Sequence, residues 1–216
     1  MDSGPEILST APAPDAGRFA DFAGDLTAAD IPGDALRQAG STLMDTVGTA
    51  IGGSLTEAAR IAAATGGCEG WAGPPPGPEA GAHVQAGAAF ALAVAASALD
   101  FDDGHYLGGA IHPAAAIVPA LLVAAPAEAG LDELIVAQVA GYEVGLRLAH
   151  LLWPRGEGAR YHCTGTAACV GAAVAAAKLR GGDGELIRRA IEIAWCHAPM
   201  AALQFPMVKE GIGWAA

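Results

Sequence analysis

Across residues 34–51 the apolar side chains Leu36, Ala39, Leu43, Val47, Ala50 and Ile51 recur at steps of three and four, and Gly52-Gly53 ends the pattern. That step places them on one face of a helix of 3.6 residues per turn, whereas a half-buried strand requires strict alternation. No part of the chain alternates convincingly in that way. Helical segments are predicted on the same grounds over residues 56–64, 80–99, from His112-Pro113 onward, 131–152, 164–179 and 185–197, with Pro113 suited to a first helical turn. Glycine and proline break the pattern at residues 66–78, 104–111, 153–160 and 180–184, which read as loops. The expected fold is all-α, with about eight helices and no tandem repeat. Residues 1–16 read as a flexible lead-in and 17–216 as a single helical domain.

Composition sets the character of those helices. Hydrophobic residues make up 53% of the 216, but aromatics only 6%, because alanine and glycine carry much of the apolar share. Helices of this kind can approach closely while each contact buries little area. The apolar runs at 86–99 and 113–127 fall short of the roughly 18–20 residues that span a bilayer, so they read as core helices. With 23 acidic residues against 11 basic ones the formal net charge is -12, a field that repels a polyanion and argues against nucleic acid as a partner. The N-terminus has Asp2, Glu6 and prolines in place of a basic and then apolar start, so no secretory signal is expected. Cys68, Cys163, Cys169 and Cys196 form no C-x-x-C pair, and free thiols in a reducing cytoplasm are the expectation.

The polar residues that stand out are Asp100, Asp102, Asp103, His105, His112, His162 and Lys209, most of them at helix-loop junctions, where sites are commonly built. The acidic cluster could be a solvated helix end, and its D-F-D-D-G-H order lacks the ligand spacing of a calcium loop, so no metal is expected. His83, His150 and His197 lie in helical stretches and read as core or surface histidines. Cys163 follows His162 directly, and neighbours on a helix point apart, which disfavours a Cys-His pair. Glu143 and Arg147, four apart, read as an intrahelical ion pair, and no glycine-rich loop follows a strand as a dinucleotide site requires.

Ordered along the chain, these residues carry a family resemblance. The run Leu99-Asp100-Phe101-Asp102-Asp103-Gly104-His105 resembles the "LDFDD-x-H" signature of the MmgE/PrpD family, the group that contains 2-methylcitrate dehydratase and cis-aconitate decarboxylase. His112-Pro113-Ala114 is similar to its His-Pro-Ser/Ala step, and Gly141-Tyr142-Glu143-Val144 with Arg147 to its "GYEV..R" helix. Tyr161-His162-Cys163-Thr164-Gly165 resembles its "H-x-T" step, residues 173–179 its alanine-rich helix, and Lys209 with Gly213-Trp214-Ala215-Ala216 its "K...G.AA" segment. Two departures bear on substrate shape. The loop between Asp103 and His112 is about two residues longer than the usual pattern, and an alanine-rich stretch at 91–96 replaces an asparagine-glycine.

The resemblance implies the family's helical domain without its α+β lid, and a cleft that takes catalytic groups from Asp100, His112, His162 and Lys209. Asp103, His105, Tyr161 and Thr164 are the expected substrate contacts. Such groups suit proton transfer beside a carboxylate, in dehydration, decarboxylation or isomerisation of a small carboxylate. On this basis Lys209 and His162 bind the carboxylate and stabilise charge, His112 moves the proton, and Asp100 orients a histidine. No cofactor is implied. The implied partners are a second copy of the chain and a separately encoded lid-domain subunit, with no membrane involved. The alternatives are a non-catalytic scaffold or partner subunit and a repurposed biosynthetic cyclase or epimerase.

Overall fold

Helix boundaries in this chain follow from their caps. The computed structural model describes residues 15–68, 81–107, 111–152 and 162–198. Within them lie α1 (Ala16–Asp25), α2 (Gly33–Gly53), α3 (Glu57–Thr65), α4 (Ala82–Ser97), α5 (Ala114–Ala124), α6 (Leu131–Leu152), α7 (Cys163–Leu179) and α8 (Gly184–His197), with a 3-10 turn at Ala28–Asp30. Asp15 caps α1 through Gly17 N, Thr56 caps α3 through Ala59 N, and Asp183 caps α8 through Leu186 N. Each satisfies an amide that the first turn leaves unpaired. The fold is all-α, and the isolated pairing of His105 with Ile111 is the extent of β structure among the described residues.

The segments read from the apolar period all form, with ends within two residues of those expected where both ends were specified. α1 is the described helix for which that reading specifies no segment; it is only ten residues long, and its buried face consists of Ala20 and Ala23. It begins at Ala16 with Asp15 as its cap, so these two residues belong to the helix and not to the lead-in. Residues 1–14, and most of the 66–78 and 153–160 loops, lie outside the described residues.

α7 is the hub: it packs against α6, α5 and α8, while α1 lies on α8, and α2 and α3 on α4. Its buried residues, among them Ala167, Ala168, Val170, Gly171, Val174 and Ala175, surround the axis, as expected of a helix covered on nearly every side. The main core joins Ala20 and Ala23 of α1, Val144 and Leu148 of α6, Val170 and Val174 of α7 and Ile187 and Ile191 of α8. The valine, leucine and isoleucine side chains among them stabilise by about 1.5–3 kcal/mol each when fully buried, and the alanines by less. No described helix is long and apolar enough to cross a membrane.

Where alanine leaves too much bulk, glycine takes over. A Cβ placed on Gly141 of α6 would lie 2.6 Å from the carbonyl oxygen of Gly171 on α7, and one on Gly171 would lie 2.6 Å from that of Gly141. The two backbones therefore touch at this crossing, and α6 and α7 cannot separate without opening the main core. Gly171→Ala is expected to destabilise the chain by about 1–3 kcal/mol through overpacking, although alanine is the better helix former by about 1 kcal/mol. Urea denaturation checks this, and a variant at least as stable as wild type would mean that the crossing is looser than described.

Candidate active site

The polar junctions converge at the ends of the core helices. α4 stops at Ser97, and its chain turns out through Asp100, whose φ of 56° lies in the left-handed region. Aspartate tolerates this conformation better than bulkier residues do. The turn leaves Asp100 exposed and carries the two following acidic residues inward: the Asp102 side chain is only 6% exposed, and Asp103 is half-buried.

Asp103 ties three elements together. Its Oδ1 accepts from the Ala114 amide at the start of α5 at 3.0 Å, and its Oδ2 accepts from the Tyr142 hydroxyl of α6 at 2.8 Å. Its backbone carbonyl lies 2.6 Å from Nδ1 of His112. A carbonyl oxygen can only accept, so Nδ1 carries the hydrogen, and the neutral imidazole keeps its lone pair on Nε2. The backbone of His112 is fixed as well, its amide donating to Thr164 Oγ1 of α7 at 3.0 Å.

Asp102 stands 3.8 Å from His112 Nδ1, beyond hydrogen-bonding reach. Ser97 Oγ donates to the same carboxylate at 3.3 Å. Burial raises the carboxyl pKa of Asp102, with His112 opposing, and burial likewise raises that of Asp103, with the Tyr142 hydrogen bond opposing. Tyr142 is itself raised, through burial and the Asp103 charge beside it, and so remains a donor.

His162 is fixed in the opposite sense. It is the N-cap of α7, and its Nδ1 accepts from Gly165 N at 3.2 Å. An accepting Nδ1 leaves the ring hydrogen of the neutral form on Nε2. The site thus combines one histidine whose second nitrogen accepts with another whose second nitrogen donates. Thr164, whose oxygen accepts from His112, keeps its hydroxyl hydrogen for a further acceptor.

His105 is placed differently. Its backbone pairs with Ile111, and its side chain lines a cleft of about 740 Å³ with Arg18, Phe22, Arg147 and His150. It is Tyr106, and not His105, whose ring meets His112 edge-on, at 6.1 Å between centroids. Lys209 and Tyr161 lie outside the described residues. Among the described residues no three Asp, Glu, His or Cys side chains are arranged to hold a metal ion. All four cysteines are free, and burial pushes the Cys163 and Cys169 thiols up, which keeps them protonated and poor nucleophiles. His83, His150 and His197 are exposed, and Arg147 pairs with Glu143 at 2.7 Å.

The MmgE/PrpD N-terminal domain profile matches residues 17–210. The chain belongs to the MmgE/PrpD family. No individually curated protein matches the chain. The MmgE/PrpD family includes lyase-type enzymes of the dehydratase kind, and the match covers every residue of the cluster around His112. Tyr142 and Ser97 are the members of this cluster that the sequence reading gives no place in a site, and Asp102 stands in that reading without a role of its own. A tyrosine next to Gly141 on the face of an apolar helix was the available signal for the first of them.

Two measurements probe this geometry. If Asp100 serves as the turn, Asp100→Gly leaves stability within about 0.5 kcal/mol, whereas Asp100→Val costs about 1–2 kcal/mol, the usual penalty for a branched residue in left-handed backbone; equal thermal midpoints for the two would refute the role. The second concerns Asp102. A carboxyl whose folded pKa is raised contributes stability below its ordinary value of 3.8, and that contribution is lost as pH rises through the folded pKa. Asp102→Asn never ionises, so it should gain on wild type in urea midpoint between pH 3.5 and pH 7.5. A difference that stays constant across that window would show that burial of this carboxylate is not costly.

Proposed function

We propose that this helical domain supplies the proton-transfer wall of a lyase- or isomerase-type active site that acts on a small carboxylate. The observation that carries the reading is the 2.6 Å contact of His112 Nδ1 with the Asp103 carbonyl, which leaves Nε2 as a base. A base at this position removes a proton from the carbon next to a carboxylate. The electron pair then either spreads into that carboxylate or expels hydroxide from the neighbouring carbon, which takes the proton back from the imidazolium and leaves as water, giving an alkene. In decarboxylation carbon dioxide leaves instead, and His112, its Nε2 first protonated from solvent, delivers that proton to the carbanion. Asp102, 3.8 Å away, stabilises the imidazolium formed in either case.

Charge that develops on the substrate needs donors. The Thr164 hydroxyl supplies one, at the N-terminus of α7 where the helix dipole favours negative charge, and His162 is assigned to the same role by its motif. Lys209 and Tyr161 are assigned by their motifs to the same carboxylate. Asp100 is assigned by its motif to orienting a histidine, and Asp102 and the Asp103 carbonyl stand beside His112 at 3.8 Å and 2.6 Å. The facing groups come from a lid-type partner.

A second reading, a subunit that serves mainly to bind a partner, is favoured by one feature. Met44, Leu99, Phe101 and Leu131 line an open cleft of about 1200 Å³, and Met44 is 72% and Phe101 74% exposed. Apolar side chains grouped in this way mark interaction surfaces. Both readings meet in one experiment: the full chain, with any protein that co-purifies, is weighed by light scattering and screened for turnover of di- and tricarboxylates. Turnover that falls at least about 10²-fold in His112→Gln is the expected result. A stoichiometric partner with no turnover, and no response of the His112 resonances to any of these acids, would leave the binding reading.

A further inference from the structure

We propose that Tyr142 is a positioning residue: through the Asp103 carboxylate it clamps the loop carbonyl that sets the tautomer of His112. The chain of contacts is short. Tyr142 donates to Asp103 Oδ2 at 2.8 Å, Ala114 N donates to Oδ1 of the same carboxylate at 3.0 Å, and the Asp103 carbonyl faces His112 Nδ1 at 2.6 Å. Tyr142 lies on α6, 39 positions away from Asp103, and packs among buried residues of two core clusters, with Ile117 and Leu121 in one and Ala114 and Val118 in the other. Its neighbour Gly141 is where α6 touches α7. The hydroxyl is therefore delivered from beside the closely packed α6–α7 crossing to a loop that has little regular structure of its own.

The carboxylate needs both donors for this purpose. With Ala114 N alone, Asp103 could rotate about that one bond and carry its carbonyl with it. With Tyr142 as well, the carboxylate is held by two different helices. Residue 103 is then fixed on both sides, and the carbonyl has one direction in which to accept. A free imidazole exchanges its hydrogen between the two nitrogens, whereas this carbonyl favours the form that keeps Nε2 bare. Tyr142 touches no reacting atom in this scheme and acts only through Asp103. The kinetic consequence rests on the proton-transfer reading of His112; the tautomer itself does not.

The test is nitrogen-15 NMR of the full-length chain, reading the two ring nitrogens of His112 in wild type, Tyr142→Phe and Asp103→Asn. Wild type is expected as the Nδ1–H form. In Tyr142→Phe the ratio of that form to its Nε2–H counterpart should fall about fivefold, the worth of one hydrogen bond. Where turnover is measurable, kcat should fall with it while KM stays within about twofold, and the acid limb of the rate profile should move. A folded Tyr142→Phe whose His112 ratio equals that of wild type overturns the proposal. If this variant does not fold, the isosteric Asp103→Asn decides in the same way, an unchanged ratio again counting against the clamp. Absence of turnover in wild type would count against the proposed activity and leave the tautomer readout standing, so the two failures are distinguishable.

Discussion

The structure around the candidate site depends on one half-buried carboxylate. Asp103 receives a helix N-terminus on one oxygen and a core tyrosine on the other, and its own backbone reaches the ring of His112. Removing a half-buried anion from water is costly, and here the burial cost outweighs the Tyr142 bond, since the carboxyl pKa still lies above its ordinary value. A residue that served only to hold the fold together would be cheaper as an amide or an apolar side chain. The cost is consistent with a site in which position matters more than stability, and Asp102, raised for the same reason, adds to it.

That arrangement is possible because the scaffold behind it is thin and rigid. Alanine-rich helices bring little area to each contact, so α6 and α7 gain by close approach, and Gly141 and Gly171 let their backbones meet. Tyr142 follows Gly141 directly and points elsewhere, as successive residues on a helix must. One turn of α6 thus serves both functions: it fixes the helix to α7 and presents a hydroxyl to Asp103. α7 contributes in turn through Thr164, which holds the His112 amide from the other side.

Much of this architecture is legible in the sequence, and the reasons are local. The three- and four-residue step of Leu36, Ala39 and Leu43 fixes α2, the glycines near 52, 66 and 181 fix where helices stop, and Pro113 fixes where α5 starts. The sequence also places acidic and imidazole groups together at the α4 and α5 junctions. Which aspartate turns inward is not local information. Asp100, Asp102 and Asp103 are chemically alike in the string, and only the left-handed backbone at Asp100 sends the first outward and the other two in. Tyr142 depends on a contact across 39 positions, and His105 on a loop that pairs its backbone with Ile111 and turns its ring to a different cleft.

The two histidines of the site show how a fold can assign chemical roles without large electrostatic forces. Each is given its tautomer by a backbone group: a carbonyl that accepts from His112 Nδ1, and an amide that donates to His162 Nδ1. Backbone groups do not titrate, so the assignment holds across the pH range in which both rings are neutral. It does constrain the site, because a proton added to His162 would have to break the cap of α7, whereas one added to His112 keeps its carbonyl bond and gains the nearby Asp102 charge.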